Sequence, residues 1–291
     1  LQEFMANVGL LIAHGTTLST NALLTGRTSR VGLLTTDGFR DTIQFRRGYK
    51  NIRTSRFNLF VPPYRALVPR HLRLPVRERI LHNGEIPIPL CEEDVHAAIA
   101  KLKEAKVEAV AICFLHSYAN PEHELKALEI CRREMPGTYV TASHEVLPVF
   151  REGERFSTTV VSAAVGPITE AYLNALTAEM RTLGFRGTFF LVQGGGLVQT
   201  VDESIRRAVS LIGSGPAAAP SGATRLGDVE CLMNDARQLA GVFRVQSRNL
   251  QLFGKVGGQP HDFAHGVADV AHQGLHLDRF LTIAHALHHF L

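Results

Sequence analysis

Leu10-Leu11-Ile12-Ala13-His14-Gly15-Thr16-Thr17-Leu18-Ser19-Thr20-Asn21-Ala22-Leu23-Leu24 reads as an apolar strand, a turn of small and hydroxylated residues, and a helix. Gly26 follows at the position where helices favour glycine as a stop. Val31-Gly32-Leu33-Leu34-Thr35-Thr36 is then a second strand, ended by the turn pair Asp37-Gly38. Strand, helix and strand in close succession predict a parallel pair joined by a right-handed crossover.

Outward from this stretch the alternation continues. Residues 48–90 are irregular and proline-rich (Pro62, Pro63, Pro69, Pro75, Pro87, Pro89), an excursion with short strands such as 72–79. From Glu92 onward Val95, Ile99 and Leu102 share a helical face, and 107–115 is an apolar run suited to a buried parallel strand. Asn120-Pro121 reads as a helix cap with proline at the first helical position. The helix it opens is expected to turn Leu125, Leu128 and Cys131 inward and to stop before Pro136-Gly137, with a strand at 139–141. A helical stretch runs over 157–183, with Ser157-Thr158-Thr159 expected to cap it and Gly166-Pro167 expected to kink or break it. Thr188–Val192 is a strand entering Gly194-Gly195-Gly196, and Leu211-Ile212 is apolar chain entering Gly213-Ser214-Gly215-Pro216. Small residues at 217–223 then predict a tightly packed helix. The whole is α/β with parallel sheets and no internal repeat.

Two segments therefore share one design, strand then small-residue turn then helix: His14-Gly15-Thr16-Thr17 and Gly213-Ser214-Gly215-Pro216. Free N–H groups at a helix N-terminus attract anions, and glycine lets a phosphate approach the backbone. Each turn alone is also the pattern of an ordinary strand-to-helix connection.

The wording around them is more specific. His14 through Leu24, followed by Thr35-Thr36-Asp37-Gly38-Phe39-Arg40-Asp41, resembles the N-terminal domain of the A subunit of hydantoinases and oxoprolinases. So do Arg77-Glu78-Arg79-Ile80, the stretch from Cys113-Phe114-Leu115-His116-Ser117-Tyr118 to Pro121, and Ser143-His144-Glu145-Val146-Leu147-Pro148. The family's next domain resembles Arg155-Phe156-Ser157-Thr158-Thr159-Val160-Val161 through Ser214-Gly215-Pro216-Ala217. The resemblance implies a fold of the actin-like ATPase (ribonuclease H-like) type, α/β lobes with parallel and mixed sheets. It implies an N-terminal domain at 1–150 and the start of the ATPase domain at 151–227.

It also implies ATP and magnesium as cofactors, a B-type subunit or domain as partner, and a homo- or hetero-oligomer. The implied reaction phosphorylates the carbonyl oxygen of a small cyclic amide before water attacks it, a step in which the protein positions groups and neutralises charge. Related members use the ATP step to activate acetone or acetophenone for carboxylation, and a non-catalytic scaffold is a third reading. His14, Gly15, Thr16, Thr17 and Asn21 are the candidates near substrate or phosphate. Gly213, Ser214, Gly215 and Pro216 are the candidates near nucleotide. No residue is assigned to catalysis or to a metal.

Two departures stand out. The family's Asp-Val-Gly-Gly-Thr and Asp-Met-Gly-Gly-Thr phosphate loops do not occur, and Gln193-Gly194-Gly195-Gly196 stands where a Gln-Ser-Asn-Gly-Gly-like turn is usual. With Leu1 in place of an initiating Met, this predicts a truncated piece that is inactive alone. The resemblance stops at 227. Of 14 histidines, seven fall in the last 31 residues. The i,i+4 pairs His261/His265 and His272/His276 would suit zinc on one helix face, but no cysteine or H-E-x-x-H pattern accompanies them. Residues 228–291 read instead as a shifted frame or junction.

Bulk properties narrow the classes. Of 291 residues, 45% are hydrophobic and 20% charged, as in a globular protein. No run is long and apolar enough to span a membrane, and the first residues show no signal-peptide pattern. The net charge of +4 is spread along the chain. Its densest run, Arg46-Arg47-Gly48-Tyr49-Lys50-Asn51-Ile52-Arg53 with Arg56, lacks a nucleic-acid motif, so neither nucleic acid nor membrane is expected as a partner. Cys91, Cys113, Cys131 and Cys231 form no C-x-x-C pair and fit a reduced, cytoplasmic protein. His14 reads equally as a ligand contact or a structural hydrogen-bonder, and His116 and His144 as structural residues at strand ends. Asp37, Arg40 and Asp41 read as a local charge-and-turn cluster.

Overall fold

The strand predicted at 31–36 decides the architecture, because every one of its residues is buried and it accepts a neighbour on each side. In the computed structural model, which describes residues 11–45 and 66–223, β2 (Val31–Thr36) lies between β3 (Arg73–Val76) and β4 (Ala109–Cys113), and β5 (Tyr139–Ala142) follows at the edge. All three pairings in this order, β3-β2-β4-β5, are parallel. Both faces are covered, as such sheets require. α3 (Glu92–Glu104) buries Val95, Ala98, Ile99 and Leu102, and α4 (Glu122–Glu134) buries Ala127, Leu128, Ile130 and Cys131.

A second, mixed sheet has the order β1-β6-β7. β1 (Leu11–His14) runs parallel to β6 (Thr188–Val192), and β7 (Val198–Thr200) returns antiparallel to β6. The expected pairing of the first two strands is therefore corrected. α1 (Leu18–Thr25), closed by left-handed Gly26, leads from one sheet to the other. Ile12 packs with Phe189 and Leu191 in the second sheet's core, and those partners lie far along the chain.

α6 (Glu152–Thr182) joins the two cores. Its 31 residues span about 46 Å at 1.5 Å per residue. Phe156, Val160, Ala163 and Ala164 pack on the four-stranded sheet, and Leu173, Leu176 and Met180 on the three-stranded one. Where a kink or break is expected at Gly166-Pro167, the helix continues unbroken. Ser29 N–H donates to the Ala164 carbonyl (2.9 Å) in the turn that proline disturbs, and Gly166 lets the Tyr139 ring lie against the helix backbone. Ser157, Thr158 and Thr159 do not cap this helix, which already begins at Glu152; Thr159 Oγ1 donates back to the Arg155 carbonyl at 2.7 Å.

Smaller corrections have equally local causes. Leu125 is 49% exposed, because the buried face of α4 runs through Glu124, Ala127, Leu128 and Cys131 and leaves its neighbour outside. That helix starts one residue later than expected, with Asn120 Oδ1 accepting from the Glu122 N–H at 3.0 Å. The chain entering Gly213 is a 3-10 turn (Ala208–Leu211), not a strand. Asp41 is not confined to a local cluster: it pairs with Arg70 and Arg73. The basic run at 46–56, Cys231 and the histidine-rich tail lie outside the described residues.

Candidate functional site

The two small-residue turns, 198 positions apart, meet at one place. Ser214, fully buried, opens α8 (Ser214–Ala223). Its hydroxyl accepts from the Thr16 N–H at 3.1 Å and donates to the Thr16 carbonyl at 2.7 Å. Gly213 N–H donates to Thr20 Oγ1 at 3.0 Å, and Leu18 N–H to Thr16 Oγ1 at 3.2 Å. Asn21 Nδ2 donates to Thr17 Oγ1 at 3.3 Å. A Cβ on Gly15 would meet Ala218 Cβ at 2.8 Å, and one on Gly215 would meet Thr17 Cγ2 at 2.7 Å. The glycines thus allow the turns to touch each other, and Pro216 stands exposed in the first helical turn, where it costs no hydrogen bond.

His14 ends β1 beside this seam. Its Nε2 lies 2.8 Å from the Tyr172 hydroxyl, and its ring stacks on Phe189 with centroids 6.1 Å apart. Burial lowers the His14 pKa and keeps the imidazole neutral near pH 7; burial raises that of Tyr172.

Thr16, Leu18 and Gly213 have already committed their N–H groups to side-chain oxygens, so these three donors are not free for a phosphate. Among the described residues no group of three or more His, Cys, Asp or Glu is placed to hold a metal ion.

Sequence reasoning missed a second constellation, at the carboxyl ends of the four parallel strands. Glu124 is fully buried and accepts four hydrogen bonds. Oε1 takes the Phe114 N–H (2.8 Å) and the Ser143 hydroxyl (2.6 Å); Oε2 takes the His144 N–H and His144 Nδ1 (both 2.8 Å). Arg155, also fully buried, donates through Nε to Ser143 Oγ (3.1 Å) and through its terminal nitrogens to the Phe114 (2.7 Å) and Val149 (3.1 Å) carbonyls. Beside them Glu78 accepts from the Thr36 hydroxyl and from His123 Nδ1 (2.7 Å), and Leu115 N–H donates to Thr36 Oγ1 (2.9 Å). One signal for this cluster was present: Glu124 occupies the apolar helical face of Ala127, Leu128 and Cys131, where a charge needs partners. His144 has the structural role expected of it. His116 sits in a left-handed backbone conformation (φ 52°) just beyond β4.

Comparison with known proteins matches both halves of the chain. The family described as hydantoinase/oxoprolinase N-terminal region matches residues 7–135, and that described as hydantoinase/oxoprolinase matches 155–235. The chain belongs to the hydantoinase/oxoprolinase family. It is 42% identical over 219 residues to caprolactamase subunit alpha of Pseudomonas jessenii, covering 75% of this chain and 31% of that one. The crystal structure of the ATP-dependent caprolactamase from that organism superposes with a TM-score of 0.68 at 40% identity, over 76% of this chain and 32% of the other. The gamma subunit of acetophenone carboxylase from Aromatoleum aromaticum is 32% identical (67% of this chain, 28% of the relative). A 5-oxoprolinase of Pestalotiopsis fici is 32% identical (74% and 18%). The chain thus spans a third or less of the length of these relatives. Its α/β architecture, one parallel and one mixed sheet, is of the actin-like ATPase type. No helix among the described residues is long and apolar enough to cross a membrane.

Proposed function

We propose that this chain is part of an ATP-dependent enzyme that opens a small cyclic amide, ATP phosphorylating the amide oxygen so that water can attack the activated carbon. An unactivated amide is a poor electrophile with a poor leaving group, and phosphate on oxygen relieves both difficulties. The observation that carries this reading is the 42% identity to a caprolactamase subunit, which runs through both sheets. Relatives named as subunits support a B-type partner and a hetero-oligomer.

Within that enzyme the chain supplies an N-terminal domain (1–150) and the start of the ATPase domain (151–227). Thr16, bonded to Ser214, and Thr20, bonded to Gly213, tie the turn of His14, Gly15, Thr16, Thr17 and Asn21 to that of Gly213, Ser214, Gly215 and Pro216, and so fix α1 and α8 beside the nucleotide. Their part is to hold position; no step is assigned to magnesium through these residues.

The full-length protein and its partner subunit, incubated with ATP and caprolactam, 5-oxoproline or hydantoin, should release ADP in step with ring-opened product, followed by mass spectrometry. ADP release that instead requires bicarbonate and a ketone, with a carboxylated product, would replace this reading by the carboxylase one. Release with neither substrate class would sink both.

A further inference from the structure

In the four-stranded sheet, β2 leads on to β3 on one flank, while the neighbouring β4 leads on to β5 on the other. Chains that leave adjacent parallel strands in opposite directions open a crevice at their carboxyl ends, where α/β proteins bind ligands. The two glycine turns do not lie here; they belong to the other sheet.

This edge is built at a cost that stability does not explain. Among the described residues the buried arginine, histidine and carboxylate side chains are Arg73, Glu78, His123, Glu124 and Arg155. Four of them underlie the carboxyl edge, in the network around Thr36, Ser143 and the Phe114 backbone. Buried charge is generally no more stabilising than apolar packing of the same volume, so its concentration at one edge indicates a platform held rigid for a purpose.

Above the platform stands a less buried layer. The Arg79 guanidinium lies 5.0 Å over the Phe39 ring and makes no hydrogen bond or ion pair with a described residue. His116 faces Tyr118 edge-on at 5.9 Å between centroids. Charges felt by His116 come from Glu152, Arg155, His82 and Arg79. Non-glycine residues rarely take positive φ, yet His116 (52°) and Arg151 (80°) both do so here.

We propose that the crevice between the carboxyl ends of β2 and β4 binds an oxyanion of a small molecule, a carboxylate or phosphate, between the Arg79 guanidinium and the His116 and His82 imidazoles. Stacking on Phe39 orients the guanidinium and leaves its N–H edge free for a two-point contact. Tyr118 and Phe39 supply apolar walls, and Glu152 accepts from any N–H or O–H next to the anion. Burial lowers the His116 pKa, and a bound anion opposes that burial, so binding raises His116 and tightens as pH falls through its range. Because this edge and the glycine turns are on separate sheets, the site stands whether or not the cyclic-amide reading does.

The test is a titration of the full chain, labelled at histidine ring carbons, with inorganic phosphate and separately with succinate, read by NMR. Either anion should saturably shift the His116 and His82 signals and raise the titration midpoint of His116. A response to phosphate alone assigns a phosphate site, and to succinate alone a carboxylate site. Arg79→Gln, at a partly exposed side chain, should weaken binding about tenfold. His116→Asn keeps a residue that tolerates the left-handed backbone and should reduce the gain in affinity as pH falls. Absence of a saturable shift with both anions, or an unchanged affinity in Arg79→Gln, overturns the proposal.

Discussion

The seam of small turns and the carboxyl edge of the four-stranded sheet solve similar problems with opposite chemistry. At the seam, Thr16, Thr20, Gly213 and Ser214 join distant segments through backbone groups and two neutral hydroxyls, and Gly15 allows the close approach. At the edge, Glu124, Arg155, Glu78 and His123 tie strand ends together with buried charge. Small neutral groups lose little on burial, so the seam requires only close approach. Buried charges lose their hydration, so the edge is stable only while every partner is present.

That difference sets the largest expected effect. Glu124→Leu orphans the Phe114 and His144 N–H groups and strips Arg155 of its nearby counter-charge; it should destabilise the fold by about 3–5 kcal/mol. Arg155→Met, which orphans the Phe114 and Val149 carbonyls, should cost a similar amount. Because both act on one network, the double variant should cost less than the sum, read from urea unfolding midpoints. Additive losses would mean that the residues act as independent packing sites and that no shared network exists.

The seam should be softer. Ser214→Ala leaves the Thr16 N–H and C=O without their partner and should cost about 1–3 kcal/mol. Gly15→Ala, whose methyl meets the Ala218 Cβ, should cost about 1–3 kcal/mol through overpacking. Both are measured by the same unfolding curves. Losses matching those of Glu124→Leu would erase the ranking of the two regions, and larger ones would reverse it.

How much of each region the sequence revealed follows from the same physics. The strands at 31–36 and 109–113 were legible because central parallel strands are buried on both faces and read as unbroken apolar runs. The glycine turns were legible because their residues are contiguous. Pairing was not: an apolar run records that a strand is buried, not beside which neighbour, so β1 was matched to β2 when its partner is β6. The edge network was hidden for a related reason. Thr36, Glu78, Glu124, Ser143 and Arg155 come from five separate elements or loops, and none forms a motif with another. Only topology assembles them. The helix through Pro167 shows a third limit, since a proline break is a local expectation that packing against Tyr139 and a hydrogen bond from Ser29 outweigh.

The smallest effect separates the two regions by pH. Burial lowers the pKa of His14 at the seam and of His116 at the edge. A histidine whose pKa falls on folding binds its proton more readily when unfolded. Its contribution to stability is present above the unfolded pKa, about 6.5, and is lost as pH falls below it. His14 lies between Phe189 and Tyr172, whereas His116 stands at an open crevice with Glu152 opposing the desolvation. Acid sensitivity from His14 should therefore exceed that from His116. Unfolding free energies between pH 8 and pH 5 test this in His14→Gln, which keeps a hydrogen-bonding partner for the Tyr172 hydroxyl, and in His116→Asn. Each substitution should flatten the decline with acid, the first more than the second. If His14→Gln leaves the slope unchanged, the imidazole gains its proton within the folded seam at no cost, and the seam is wetter than its close packing implies.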